Sequence, residues 1–208
     1  MISVKFGCSV LVLFFFVTYV KAWEPLKVIS FDKWNTGKIL NKTEMISVPV
    51  HVMLSQTITE PCFSRDQCKD LLNSNSVSAI IPNFYVSGDG QIYAGHGWDS
   101  VGVVNFCTSD PKKMMIEISF IGDFENSKFS NKQLRAAQKL LEKGLLTGKL
   151  SETYDLFGDW QLIEEDFPMN ENNKEIFKTW PHWASDLSQC TLLNDYNDIE
   201  DYEFKDYD

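Results

Sequence analysis

Between Ser130 and Gly148 the chain reads as an amphipathic helix, with short β-type runs before it and a further helix after it. That interleaving restricts the fold more than any other feature. Ser130 and Gln133 read as a capping box, and Leu134, Ala137, Leu141 and Leu145, joined by Leu140, form one apolar stripe. The helix is predicted over Asn131–Lys143, with Gly144 and Gly148 ending or kinking it. Ile46 to Leu54 alternates at Val48, Val50, Val52 and Leu54, as a half-buried strand does, although Pro49 is awkward for a central position. Ala79–Val86 reads as a second strand, Ser87-Gly88-Asp89-Gly90 as a turn, and Gln91-Ile92-Tyr93 as the returning partner. Met114–Ile121 is a strand dense in apolar residues. Ser64 and Gln67 form another capping box before a short helix bearing Leu71 and Leu72, which the run Asn73-Ser74-Asn75-Ser76 stops. A last helix is predicted over Asn172–Thr179, before Pro181. Residues 23–47 show no clear period. With 208 residues, 44% of them hydrophobic, the pattern describes one α/β domain with helices packed on a mixed sheet.

The N-terminus predicts export. Lys5 precedes an apolar run, Gly7 to Tyr19, that is short for a bilayer span, and Val20-Lys21-Ala22 suits a signal-peptidase site. Residues 1–22 are therefore expected to be a cleaved signal peptide, with an uncleaved anchor as the alternative. A secreted protein with no membrane span follows. Cleavage leaves Cys62, Cys68, Cys107 and Cys190, which in an oxidising compartment allow three full pairings. Cys62 and Cys68 are close enough to staple a turn to a helix start, and if they pair, Cys107 and Cys190 remain for each other. Asn41-Lys42-Thr43 is a glycosylation sequon.

Charge narrows the partners. Lys and Arg number 19 against 29 Asp and Glu, a net charge of -10, with no basic stripe apparent to release counterions from a phosphate backbone, so nucleic acid is not expected. Residues 191–208 hold seven acids and one base, Lys205, with Tyr196, Tyr202 and Tyr207 set among the acids. Such a segment lacks a core-forming pattern and is expected to be a disordered tail after a domain over 23–190. It reads either as a solvated extension or as a recognition tail, sulfated on tyrosine, for a protein partner with a basic surface.

Several motifs, in one order, carry a resemblance. Asn83–Trp98 resembles YNFLVGGDGNVYEGRGW of the peptidoglycan recognition proteins, Ile118–Phe124 resembles ISFIGNF, and Thr179–Trp183 resembles TWPHW. Val28–Trp34 resembles IVSRxEW, Leu134–Leu150 the family's LNAAKxLLxxGVxxGxL helix, and Thr57–Cys62 with Cys68 the family's TVTPTC and short disulfide. The likeness covers residues 28–183. It implies the fold of the bacteriophage lysozyme-type amidases, a central mixed β-sheet packed by about three helices, with a groove for muropeptide.

The resemblance also implies what this chain lacks. The family's amidases hold zinc with two His and one Cys, and a Tyr assists at the carbonyl. Those positions fall on Ser55, Asp159 and Phe167 for the metal and on Pro82 for the Tyr. His51 lies four residues from Ser55, about 13 Å along a strand, His96 replaces a groove-wall Arg, and His182 belongs to a Trp-rich motif, so no His restores the set. No catalytic residue, metal or cofactor is expected. Ala94, Val104 and the pair Asp99-Ser100 depart from the family's ligand contacts, and the 16 residues from Lys69 to Phe84 form a shorter interval than the family's. Asn83, Tyr93, His96, Trp98, Asp99 and Ser100 remain as groove candidates. The expected function is a secreted, non-catalytic regulator of innate immunity that works through protein contacts, with peptidoglycan fragments bound weakly or not at all. A genuine muropeptide receptor and a secreted scaffold put to venom, salivary or developmental use are the alternatives.

Overall fold

The computed structural model describes residues 26–74, 76–77, 80–102, 107, 110, 114–162, 169–188 and 190. The expected signal peptide and acidic tail, with Tyr196, Tyr202 and Tyr207, lie outside these residues, as do Val104 and Phe167. Six strands form one mixed sheet: β1 Val28–Ile29, β2 His51–Gln56, β3 Phe84–Val86, β4 Ile92–Ala94, β5 Met115–Phe120 and β6 Asp155–Gly158, in the order β1-β4-β3-β5-β2-β6. The hairpin β3–β4 is antiparallel and the remaining pairs are parallel. Among the described residues four α-helices accompany it: α1 Phe31–Trp34, α2 Arg65–Leu72, α3 Asn131–Leu146 and α4 Glu171–Lys178. No helix among the described residues is long and apolar enough to cross a membrane.

Alternation sorts the sheet into two faces. Val52, Leu54, Phe84, Val86, Ile116, Ile118, Phe120 and Leu156 point to the main core, where Ala137, Leu140 and Leu141 of α3 and Phe177 of α4 cover them. On the other face, α1 and α2 bury Tyr85 and Tyr93 with Trp34, Leu72 and the Cys62–Cys68 disulfide. The same face over β5, β2 and β6 is covered differently, as described below.

Local chemistry sets the element boundaries. β2 begins after Pro49, so the expected strand over Ile46–Leu54 shortens at its start and leaves Ile46 and Val48 exposed. The expected strand Ala79–Val86 is likewise limited to Phe84–Val86, following Pro82. Between β3 and β4, Asp89 Oδ1 accepts from Gln91 N at 3.1 Å, and Gly90 takes φ +84°, the left-handed turn position. Ser64 and Ser130 cap α2 and α3 by accepting from Gln67 N and Gln133 N. The second half of the expected box at Ser130 is absent. Gln133 instead points into the core and donates from Nε2 to Val86 O at 2.8 Å and Ile121 O at 3.2 Å, tying α3 to β3 and β5.

Gly144 neither ends nor kinks α3, which runs through it to Leu146. It is needed for packing. Trp98 lies flat on the helix there, its ring also 4.9 Å from that of Phe84, and a Cβ on Gly144 would come within 2.5 Å of Trp98 Cη2. Two effects compete in Gly144→Ala: helix propensity gains about 1 kcal/mol, and overpacking costs typically about 1–3 kcal/mol. Because the ring is wedged between helix and sheet, the clash is expected to win, with urea unfolding showing a net loss of about 1 kcal/mol. A more stable variant would mean that Trp98 does not rest on α3.

Candidate functional site

Three parallel strands, β2, β5 and β6, end side by side, and their carboxyl ends carry polar side chains on the face away from α3. Crevices at such strand ends are where open α/β sheets place their ligands. Ser55 is buried and donates from Oγ to Glu117 Oε1 at 2.5 Å. Ser119 is paired across from Ser55 and is also buried. Asp159 opens a single 3₁₀ turn directly after β6, is 4% exposed, and accepts the Trp160 N–H at 2.8 Å through Oδ1. Burial pushes the Glu117 carboxyl up, against the Ser55 hydrogen bond that favours its charge. Burial also raises Asp159 well above the usual carboxylate range, and the negative charge of Glu117 adds to this. The Tyr85 phenol is raised by burial and, secondarily, by the same carboxylate.

Below this polar row the strand face is apolar and closed. Met53, Met115 and Phe157 point the same way as Ser55 and Glu117, and they pack against Leu162, Cys107 and Cys190. The disulfide Cys107–Cys190 is thus part of the cover. The chain reaches it from the sheet edge, where Trp183 bridges to Leu156, Leu156 N donates to His182 O and Ala184 N donates to Leu156 O, both at 2.8 Å. Gln161 Nε2 holds the same segment through Ala184 O at 3.0 Å. His51 sits at the far end of this face, buried, with Nε2 3.5 Å from Asp155 Oδ2 and its ring against Phe157. His182 stacks on Tyr154 at 4.3 Å.

The groove candidates divide into two groups. Asn83 is fully buried and spends its side chain on the backbone: Nδ2 donates to Gly97 O at 2.7 Å and Ser100 O at 2.9 Å, and Oδ1 accepts from Glu117 N at 3.0 Å. Tyr93 is fully buried in the α1–α2 cluster, its hydroxyl without a hydrogen-bond partner among the described residues, and burial pushes it up to about 12. Neither presents a side chain to a ligand, which corrects their expected place in the groove. His96, Trp98, Asp99 and Ser100 do line one cleft, of about 490 Å³, with Asp32 and Lys42 across it. There His96 Nδ1 lies 3.3 Å from Ser100 Oγ, and burial with the charge of Lys42 lowers the imidazole's pKa. Asp99 is exposed and pairs with Lys149 at 2.5 Å. Ser55, Glu117 and Asp159 are not among the residues lining this cleft.

The family model for N-acetylmuramoyl-L-alanine amidase matches residues 47–175. Peptidoglycan-recognition protein 2 of Holotrichia diomphalia is 31% identical over 162 residues, covering 74% of this chain and 84% of the relative. The chain belongs to the peptidoglycan recognition protein family. The recognition protein of Trichoplusia ni is 28% identical over 184 residues, 84% of this chain and 98% of that one. Among solved structures, the complex of peptidoglycan recognition proteins LCa and LCx with tracheal cytotoxin bound aligns at TM-score 0.63 and 33% identity, over 76% of this chain and 98% of the other. Drosophila recognition protein SA aligns at 0.65 and 27%, over 77% and 95%.

Ser55 offers a hydroxyl already committed to Glu117, Asp159 offers one carboxylate already bonded to Trp160 N–H, and no group of three His, Cys, Asp or Glu among the described residues is placed to hold a metal. Pro82 has no group that handles a proton. Glu117 is the residue that sequence reading passed over. Its signal was present, an acid in the strand Met115–Phe120, where only Ser119 is also polar, so that its half-buried carboxyl requires a partner. Asn41 of the sequon is exposed.

The two raised carboxyls generate a pH dependence. In the unfolded chain they titrate near 3.8 and 4.5, so above that range the folded state holds more protons than the unfolded one. Their contribution to stability is complete below the unfolded values and is lost as pH rises through the raised folded ones. Asp159→Asn keeps an acceptor for Trp160 N–H and removes one charge. Urea unfolding is expected to show the variant gaining on the parent between pH 5 and pH 8. A gap that stays constant, or reverses, would show that Asp159 is not held in a raised state.

Proposed function

We propose that this protein is a secreted, non-catalytic member of its family that acts in innate immunity as a regulator through protein contacts. The observation that carries the reading is the Ser55–Glu117 hydrogen bond near the carboxyl end of β2, beside buried Asp159, where the family resemblance puts two zinc-binding imidazoles. Side-chain chemistry supports the loss of the amidase reaction. A zinc–water nucleophile needs three good ligands and an open position, and the strand ends supply a serine, an aspartate and a glutamate that bond to each other or to backbone. The adjoining apolar cover of Met53, Phe157, Leu162 and Cys107–Cys190 further supports weak or absent muropeptide binding, because a ligand reaching the floor would have to displace packed side chains.

The cleft of about 490 Å³ lined by His96, Trp98, Asp99 and Ser100 favours a second reading, a genuine muropeptide receptor. The structure of relatives LCa and LCx contains bound tracheal cytotoxin, which makes such a fragment the ligand to try. Exposed Asn41 carries the sequon into the secretory reading as a glycosylation site.

Two measurements distinguish these readings. Dialysed protein is expected to hold no zinc by elemental analysis and to release no stem peptide from muropeptide with zinc added. One tightly held zinc per chain, or turnover above background, would contradict the non-catalytic reading. Calorimetry with lysine-type and diaminopimelate-type fragments is expected to give dissociation constants weaker than micromolar, and a submicromolar value for either would favour the receptor.

A further inference from the structure

Helix α3 gathers cations that the net charge of the chain conceals. Lys132, Arg135, Lys139 and Lys143 succeed one another at intervals of three and four residues and so share one side of the helix, away from buried Ala137, Leu140 and Leu141. This corrects the expectation of no basic stripe. The four cations extend over about 16 Å at 1.5 Å per residue, and Glu142 is the helix's one acid. None of the four forms an ion pair with a described residue; the lysine pairs there are Lys149–Asp99, Lys174–Glu171 and Lys178–Glu175. Just past Lys143 stands Leu146, 70% exposed.

We propose that the acidic segment 191–208 of the same chain docks along this face of α3. The charges are complementary, since the segment carries seven acids against one base. So is the apolar content. Tyr196, Tyr202, Phe204 and Tyr207 alternate with those acids, and the stems of the lysines and arginine, with Leu146, offer rings a surface. The segment starts from a fixed point, because Cys190 is tied to Cys107 in the packed cover of the sheet. Its 18 residues reach about 60 Å when extended; because Cys190 lies on the sheet face away from α3, the first of them round the edge of a domain about 40 Å across and the distal ones meet α3. Each exposed ion pair contributes little by itself, about 0–1 kcal/mol. Tethering supplies a local concentration in the millimolar range, so several weak pairs hold the segment together. The docked segment and any partner with a basic surface would then compete, which makes α3 a regulator of the segment's availability. The docking does not depend on what the groove binds.

Zero-length carbodiimide cross-linking of an equal mixture of ¹⁵N-labelled and unlabelled full chain tests this. At low ionic strength, peptides are expected in which acids of 191–208 are joined to Lys132, Lys139 or Lys143 with both halves carrying the same label. Their yield should fall at least tenfold in 0.5 M salt, where exposed charges are screened, and should also fall in a first variant, R135E, which keeps all three lysines as cross-linking partners. A second variant leaves the domain untouched: the full chain with its seven tail acids changed to amides should show shifted amide resonances over residues 132–146. Links of mixed label would overturn the proposal in favour of a second copy's tail. Links only to lysines elsewhere, no links, or unshifted resonances would overturn it outright.

Discussion

Strand β2 is hydrogen-bonded to β5 on one side and β6 on the other, and all six of its residues are buried. A parallel strand in that position must be covered on both faces. Helix α3 meets the requirement on one face with Ala136, Ala137, Leu140 and Leu141. On the other, α1 and α2 reach only the β1–β4–β3 half of the sheet, so His51, Met53 and Ser55 need another cover. The chain provides it from two distant segments joined at Cys107 and Cys190, 83 residues apart. Closing a loop of that length restricts the unfolded chain by about 4–5 kcal/mol, so the cover contributes both packing and restraint.

The polar row above that cover is compatible with a closed floor because Ser55, Glu117, Asp159 and Asn83 each have a local partner. Ser55 satisfies Glu117, Trp160 N–H satisfies Asp159, and Asn83 links the Gly97–Ser100 loop to the backbone of β5. The burden is electrostatic. Burial drives both carboxyls toward the neutral form, and at Asp159 the charge of Glu117 adds to it. A site built for zinc would have that charge reversed, with a cation stabilising anions around it. The arrangement therefore suits a protein whose strand ends are internal structure.

Much of the fold was legible because local chemistry and tertiary packing agree. Ser64 and Ser130 cap helices where the pattern places caps, and the Ser87–Gly90 turn joins β3 to β4. Other features were legible only in part. The elements β1 and α1 have two and four residues, too few for any periodicity, and only the likeness of Val28–Trp34 to a family motif indicated them. Gly144 looked like a helix stop because propensity is local, and the Trp98 ring that requires a glycine there comes from 46 residues earlier. Asn83 and Tyr93 looked like ligand contacts because a sequence does not reveal which polar side chains face inward. The basic side of α3 was hidden by a whole-chain charge of -10, which averages over what a helix separates by 3.6 residues per turn.

The central claim is that the β2–β5–β6 floor is internal structure and not a ligand-binding surface. Hydrogen–deuterium exchange of the intact protein, with and without muropeptide at millimolar concentration, addresses it strand by strand. Amides of residues 51–56, 115–120 and 155–159 are expected to exchange slowly and at the same rate in both samples, with any ligand effect confined to residues 94–100. Rapid exchange of those strands without ligand, followed by protection when muropeptide is added, would contradict the account.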